Sequence, residues 1–192
     1  MPTFPNFHKK FGNVIDSSPA TLGVIKEYKD RVPEQLIQLW KEDGWGGYAD
    51  GLIWTINPAR YQEIIPQWLE LGSESVPFLR TCFGDLIVWD DKTMGATVKM
   101  IDIRHCQREI IDKDISEMFE TSFCHDVYLY YSLKAKDFPE IKNKLGVLKN
   151  DECYGYEPAL ILGGDEIIEN LKIVKFDIHL NIITQMLEGT VD

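Results

Sequence analysis

Apolar and polar positions change their spacing several times along the chain, and each change marks an expected element. Up to about residue 19 the segment reads as a loop, with Phe4, Phe7 and Phe11 as anchors. Residues 21–29 predict a short helix. A clearer one opens at Pro33, which suits a first helical position. Leu36, Ile37, Leu39 and Trp40 recur on its buried side, and Gly44 ends it. The following stretch, Gly44-Trp45-Gly46-Gly47-Tyr48-Ala49-Asp50-Gly51, is too rich in glycine for helix or strand and is expected to turn. Residues 52–56 predict a strand with Leu52, Trp54 and Ile56 on one face. Asn57-Pro58 then caps a helix with Tyr61, Ile64, Ile65, Trp68 and Leu69 on one stripe, kinked at Pro66 and stopped at Gly72.

From Val76 the period shortens to that of strands. Residues 76–83, 86–89 and 97–103 are strand candidates, separated by turns at Gly84-Asp85 and at residues 90–95. Beyond Asp112 helical spacing returns at residues 115–123 and 138–145. Residues 128–133 could form a short strand, and residues 156–162 predict a buried strand ending at Gly163-Gly164. Phe176, Leu180, Ile183 and Leu187 define a last helix. The pattern predicts an α+β protein, helices packed on an antiparallel sheet, in two closely packed subdomains. The junction falls in residues 105–115, placed between 108 and 109, giving units 1–108 and 109–192.

Charge adds a constraint on partners. The 192 residues hold 20 Lys and Arg against 31 Asp and Glu, a net charge of −11, and no basic run exceeds Lys9-Lys10. Such a surface repels a phosphate backbone, so direct nucleic-acid binding is disfavoured and a basic protein partner is suited. Asp50, Asp90, Asp91, Asp151, Glu152 and Asp165 fall at expected turns, either as solvated turn residues or as an acidic face toward such a partner. Trp45 is open to two readings, a core residue or a contact anchor. The start of the chain lacks a signal-peptide pattern, no apolar run reaches membrane-span length, and Cys82, Cys106, Cys124 and Cys153 are spread without a CxxC pair. A reducing cytoplasm with free thiols is the expected setting.

Enzyme signatures fail their context tests. Gly44-Trp45-Gly46-Gly47-Tyr48-Ala49 fits a dinucleotide fingerprint only formally, since it follows a helix and precedes a strand. Walker A, GxSxG and HExxH patterns are absent from the sequence. His105-Cys106 and Cys124-His125 are adjacent pairs, whose side chains diverge in a strand and grip one metal ion poorly; His179 lies on the last helix. Neither a catalytic residue nor a metal or cofactor is expected. Arg80, Asp50, Asp85 and Glu152 form the one cluster an enzyme could use, and a metal- or haem-binding sensor is a further alternative.

Two stretches carry a family resemblance. The first joins Trp40-Lys41-Glu42-Asp43 and the glycine-rich stretch to Leu52-Ile53-Trp54, Asn57-Pro58 and Arg80-Thr81-Cys82-Phe83-Gly84-Asp85; it resembles the GAD-like domain. The second runs Asp151-Glu152-Cys153-Tyr154-Gly155-Tyr156-Glu157-Pro158-Ala159-Leu160-Ile161-Leu162-Gly163-Gly164, followed by Glu169-Asn170-Leu171. It resembles the C-terminal domain of type VI secretion immunity proteins that neutralise DNase toxins, and more distantly the SUKH immunity group. The resemblance implies a cytoplasmic inhibitor that binds a nuclease toxin. Most motif positions are expected to set the fold: Gly44, Gly46, Gly47, Gly51, Arg80, Gly84, Asp85, Tyr154, Pro158, Gly163 and Gly164. Arg80 and Asp85 are expected to pair with each other or with Asp50, and Asp151 and Glu152 to accept from backbone amides near their turn.

Overall fold

The computed structural model describes residues 1–68, 71, 74–91, 95–131 and 133–189. In chain order it contains helix α1 (Pro5–Phe11), strand β1 (Ile15–Ser18), helices α2 (Leu22–Tyr28) and α3 (Glu34–Asp43), and strands β2 (Trp45–Tyr48), β3 (Ile53–Thr55), β4 (Val76–Thr81), β5 (Leu86–Asp90), β6 (Thr97–Asp102) and β7 (Gln107–Asp112). Helices α4 (Ile115–Glu120), α5 (Asp126–Tyr131) and α6 (Phe138–Leu145) follow, then strand β8 (Glu152–Tyr156), strand β9 (Leu171–Lys175) and helix α7 (Phe176–Gly189). Strands β1 to β7 form one antiparallel sheet in which each pairs with its neighbour in sequence; β8 and β9 form a second, two-stranded sheet. The fold is α+β, as the pattern predicted.

Strand β5 shows why the large sheet needs two covers. Its side chains alternate between faces, and both sets are buried. Ile87 and Trp89 join a core with Phe4, Phe7, Trp40, Phe78, Phe119 and Phe123, contributed by α1, α3, α4 and their neighbours. Leu86 and Val88 join a second core with Trp68 and with Phe176, Leu180 and Ile183, the last three supplied by α7. The run Leu86-Ile87-Val88-Trp89 is apolar without interruption because neither face meets water.

Several expectations are corrected. The N-terminal stretch is not a loop: α1 buries Phe4, Phe7 and Phe11, whose spacing is helical, and β1 pairs with β2. The glycine-rich stretch is not a turn up to residue 48. It is β2, where glycine is required by closeness rather than by curvature: a Cβ on Gly46 would lie 2.5 Å from Val14 Cγ2, and one on Gly47 3.0 Å from the Trp54 ring. Residues 58–67 form no continuous helix but two single 3-10 turns, Pro58–Arg60 and Ile65–Gln67, with Pro66 denying the longer ladder an amide. Leu69 and Gly72 lie outside the described residues. Residues 126–131 are helix α5, not strand, and the strand expected over 156–162 lies earlier, at β8. Pro158, in a cis peptide with Glu157, cannot donate to a ladder, and Leu160–Leu162 is a 3-10 turn. Strands β7 and β9 were not predicted. β7 is an exposed edge strand of sequence Gln-Arg-Glu-Ile-Ile-Asp, without the alternation that marks a buried strand.

The later elements are interlocked with the large sheet. The Tyr154 amide of β8 donates to the Cys82 carbonyl at 2.8 Å, and the Phe176 amide donates to Asp151 O at 2.9 Å. The Phe176 ring rests 5.2 Å from that of Tyr61. The junction placed between 108 and 109 falls inside β7.

Candidate functional site

Two buried arginines hold the join between the large sheet and the later elements. Arg80 on β4 lies with its guanidinium 4.8 Å from the Trp54 ring and 5.0 Å from the Phe176 ring. It donates from Nη1 to the Thr81 carbonyl (3.2 Å) and from Nη2 to the Asn150 carbonyl (2.8 Å). Burial lowers its pKa, and stacking between two ring faces is how the charge is tolerated. Arg80 therefore pairs with neither Asp85 nor Asp50, contrary to the expectation. Asp50 is exposed and bonds Lys142 at 2.9 Å.

Asp85 binds Arg104 instead. Arg104 donates from Nε to Asp85 Oδ1 at 3.1 Å and from Nη2 to Oδ2 at 2.7 Å. The Thr81 hydroxyl and the Ile103 amide also donate to this carboxylate. Burial opposes both charges. It lifts the Asp85 carboxyl above the ordinary carboxylate range against the pull of Arg104. At Arg104 the attraction of Asp85 and Asp102 outweighs it, and the guanidinium is held more firmly protonated. The chain of charges continues outward: His105 Nδ1 to Asp102 at 2.8 Å, His105 Nε2 to Glu166 at 3.3 Å, and Lys134 to Glu166 at 2.8 Å. It links the end of the large sheet to residues more than sixty positions later.

Beside this chain of charges lies a cleft of about 460 Å³. Phe83 and Arg104 come to it from the large sheet, Asp137 and Ile141 from α6 and the residue before it, and Tyr156 and Leu171 from the small sheet. Its size is that of a ligand site. Sequence reasoning missed Arg104, Lys134, Asp137 and Tyr156 as site residues. The available signal was Asp102-Ile103-Arg104-His105, three ionisable residues closing an apolar strand.

The expected contact residues separate by burial. Asp50, Asp91, Asp151 and Asp165 are exposed, and Glu152 is half-buried. Asp151 binds Lys175 at 2.7 Å; Glu152 accepts from the Lys149 amide at 3.0 Å. Trp45 and Asp90 are corrected, because neither can reach a partner. Trp45 is 6% exposed and packs edge-on against Trp40 at 5.1 Å. Asp90 is 3% exposed, paired with Lys99 and accepting from the Ser75 hydroxyl. It belongs to β5, not to a turn.

The motif residues lie where backbone is crowded or turned. A Cβ on Gly44 would meet Ser18 O at 2.2 Å, and one on Gly164 would meet Pro158 O at 2.0 Å. Gly51, Gly84 and Gly163 have positive φ. The Tyr154 hydroxyl donates to Gly146 O at 2.6 Å. Cys106 and Cys124 lie against main-chain carbonyls, His125 is exposed, and His179 is buried against Gly155 with its pKa lowered by burial. Among the described residues no group of three or more His, Cys, Asp or Glu could hold a metal ion, and no helix is long and apolar enough to cross a membrane.

An antiparallel meander covered on both faces, with a later small sheet and helix pinned to it by buried arginines, defines an α+β protein of two interlocked parts. The chain belongs to the GAD-like domain family, which matches residues 2–104. Residues 117–187 match the family described as T6SS immunity protein Tdi1, C-terminal, which supports an immunity role in type VI secretion. Among solved structures the chain is similar to Atu4351 from Agrobacterium tumefaciens: TM-score 0.75, 20% identity, covering 95% of this chain and 88% of that one. That likeness extends the shared fold over both parts. No curated protein matches the sequence.

Proposed function

We propose that this protein is an immunity protein that binds and neutralises a type VI secretion nuclease, a DNase, in the cytoplasm. In this reading it is not an enzyme and needs no cofactor; a GAD-like part, 1–108, and an immunity part, 109–192, meet within β7. The observation that carries it is the match of residues 117–187 to a type VI immunity domain. The net charge of −11 supports a basic partner such as a nuclease with a phosphate-binding cleft. Asp50, Asp91, Asp151 and Asp165 are the exposed carboxylates available to it. The test is co-expression with the toxin encoded beside it. Survival with the intact protein, and death without it, is the expected result; death in both cases overturns the reading.

A further inference from the structure

The cleft at the join holds an unused donor and an unneutralised carboxylate within one cavity. Arg104 directs Nε and Nη2 at Asp85, so its third nitrogen, Nη1, is turned away from that carboxylate. Nη1 is buried and has no hydrogen-bond partner in the chain. Leaving a buried donor open is costly, and folded proteins close nearly all of theirs. Arg104 lines the cleft, so an acceptor that enters the cleft and draws the guanidinium toward it closes the open donor.

The charge around the cleft decides what kind of molecule brings that acceptor. Lys134 is neutralised by Glu166 at 2.8 Å, and Glu169 is paired with Lys144 at 3.2 Å. The Asp137 carboxylate has no ion pair or hydrogen bond among the described residues. Arg104 is already engaged by Asp85 and Asp102. Three carboxylates thus line the cleft against two cations, both taken. A phosphate or carboxylate entering would be repelled. A cation is drawn in, and Ile141, Leu171 and the half-exposed Ile167 supply apolar surface for its stem.

We infer that the cleft binds a basic peptide segment: an arginine or lysine side chain against Asp137, its stem on Ile141 and Leu171, and a neighbouring backbone carbonyl accepting from Arg104 Nη1. The inference rests on the immunity reading for the source of the segment, which is the toxin.

Titration calorimetry with acetyl-tetra-arginine amide tests the chemistry, with tetra-glutamate as the opposite charge. Asp137→Lys weakens tetra-arginine binding about tenfold, Asp137→Asn weakens it less, and the same charge reversal at exposed Glu63 changes it less than about twofold. Thermal melts verify that the variants fold. Equal loss at Asp137 and Glu63, or preference for tetra-glutamate, overturns the inference. Co-expression with the toxin then tests the source. Asp137→Lys loses protection while Glu63→Lys keeps it. Full protection by a folded Asp137→Lys protein overturns the assignment of the segment to the toxin. If the unaltered protein fails to protect, the immunity reading fails, and the peptide titration still decides the cleft.

Discussion

A side chain at position 46 has nowhere to go. Its first carbon would lie 2.5 Å from Val14 Cγ2 and 2.8 Å from the Ile15 carbonyl oxygen, which belongs to a paired strand and cannot step aside. At Gly163 the limit is different: nothing lies within 4 Å, but φ is +82°. Gly46→Val is therefore expected to lower the melting temperature more than Gly163→Ala, since overpacking costs about 1–3 kcal/mol with backbone in the way, and the left-handed conformation alone costs about 1–2 kcal/mol. Thermal melts of the two variants check the order. Asp85 poses a problem of charge rather than of space. Asp85→Ala removes the bidentate partner of buried Arg104, leaving only Asp102 at 3.5 Å to balance it, and should cost about 3–5 kcal/mol. Adding Arg104→Met should recover much of that loss, because the stranded cation leaves with it. Urea denaturation of the single and double variants measures the recovery; a double variant no more stable than Asp85→Ala would show that the pair matters through shape.

At the scale of elements, α1 is the piece whose attachment is most exposed to test. Phe7 is fully buried, edge-on to Phe119 and Tyr48, both at 4.9 Å. Phe7→Ala should cost about 3–5 kcal/mol and lower the urea midpoint seen by probes in α1 and in α4 together. The same helix is tied by His8, whose Nε2 meets Asp43 Oδ2 at 2.7 Å; Asp43 also accepts from the Tyr48 hydroxyl. The hydrogen bond with Asp43 is the largest cause raising the His8 pKa above 6.5, against burial. Burial pushes Asp43 up, but His8 and Tyr48 outweigh it and leave its pKa below 3.8. A raised His8 pKa means stability fully present below about pH 6.5 and lost as pH rises through the folded value. The lowered Asp43 pKa means stability present above its unfolded value and lost as pH falls through the folded one. The difference in stability between the unaltered protein and His8→Gln should therefore be largest at mildly acid pH and shrink toward alkaline pH. A difference flat from about pH 5 to 9, the range across which a histidine changes charge, would mean His8 acts only as a neutral donor. Elements α1, β2 and α5 were misread for one reason: short segments offer too few turns for a period to show, and partners elsewhere in the chain decide their conformation.

For the molecule as a whole, net charge is the property that acts at distance. A charge of −11 should steer a basic toxin into encounter, and the association rate should fall as salt rises from about 0.05 to 0.5 M while dissociation changes little. Stopped-flow mixing across a salt series measures both rates. An association rate indifferent to salt would remove the electrostatic contribution and leave recognition to shape. The cleft gives this general attraction a local end point, because it places Asp137 without a neutralising partner beside an open donor.

The sequence by itself determined the composition of the layers. The strand-like stretches at residues 76–83 and 86–89 called for a sheet packed under helices, and Phe176, Leu180, Ile183 and Leu187 marked one such helix. It also carried the family resemblance, since that rests on residue identities in order. Tertiary structure alone decided which charges meet. Arg80 and Asp85 are five positions apart and seemed made to pair, yet Arg104 and Asn150 claimed them, because a buried charge takes whichever partner the packing brings within hydrogen-bond reach. The cleft was illegible for the same reason: Arg104, Asp137 and Tyr156 come from three separate elements, and no local pattern records that they line one cavity.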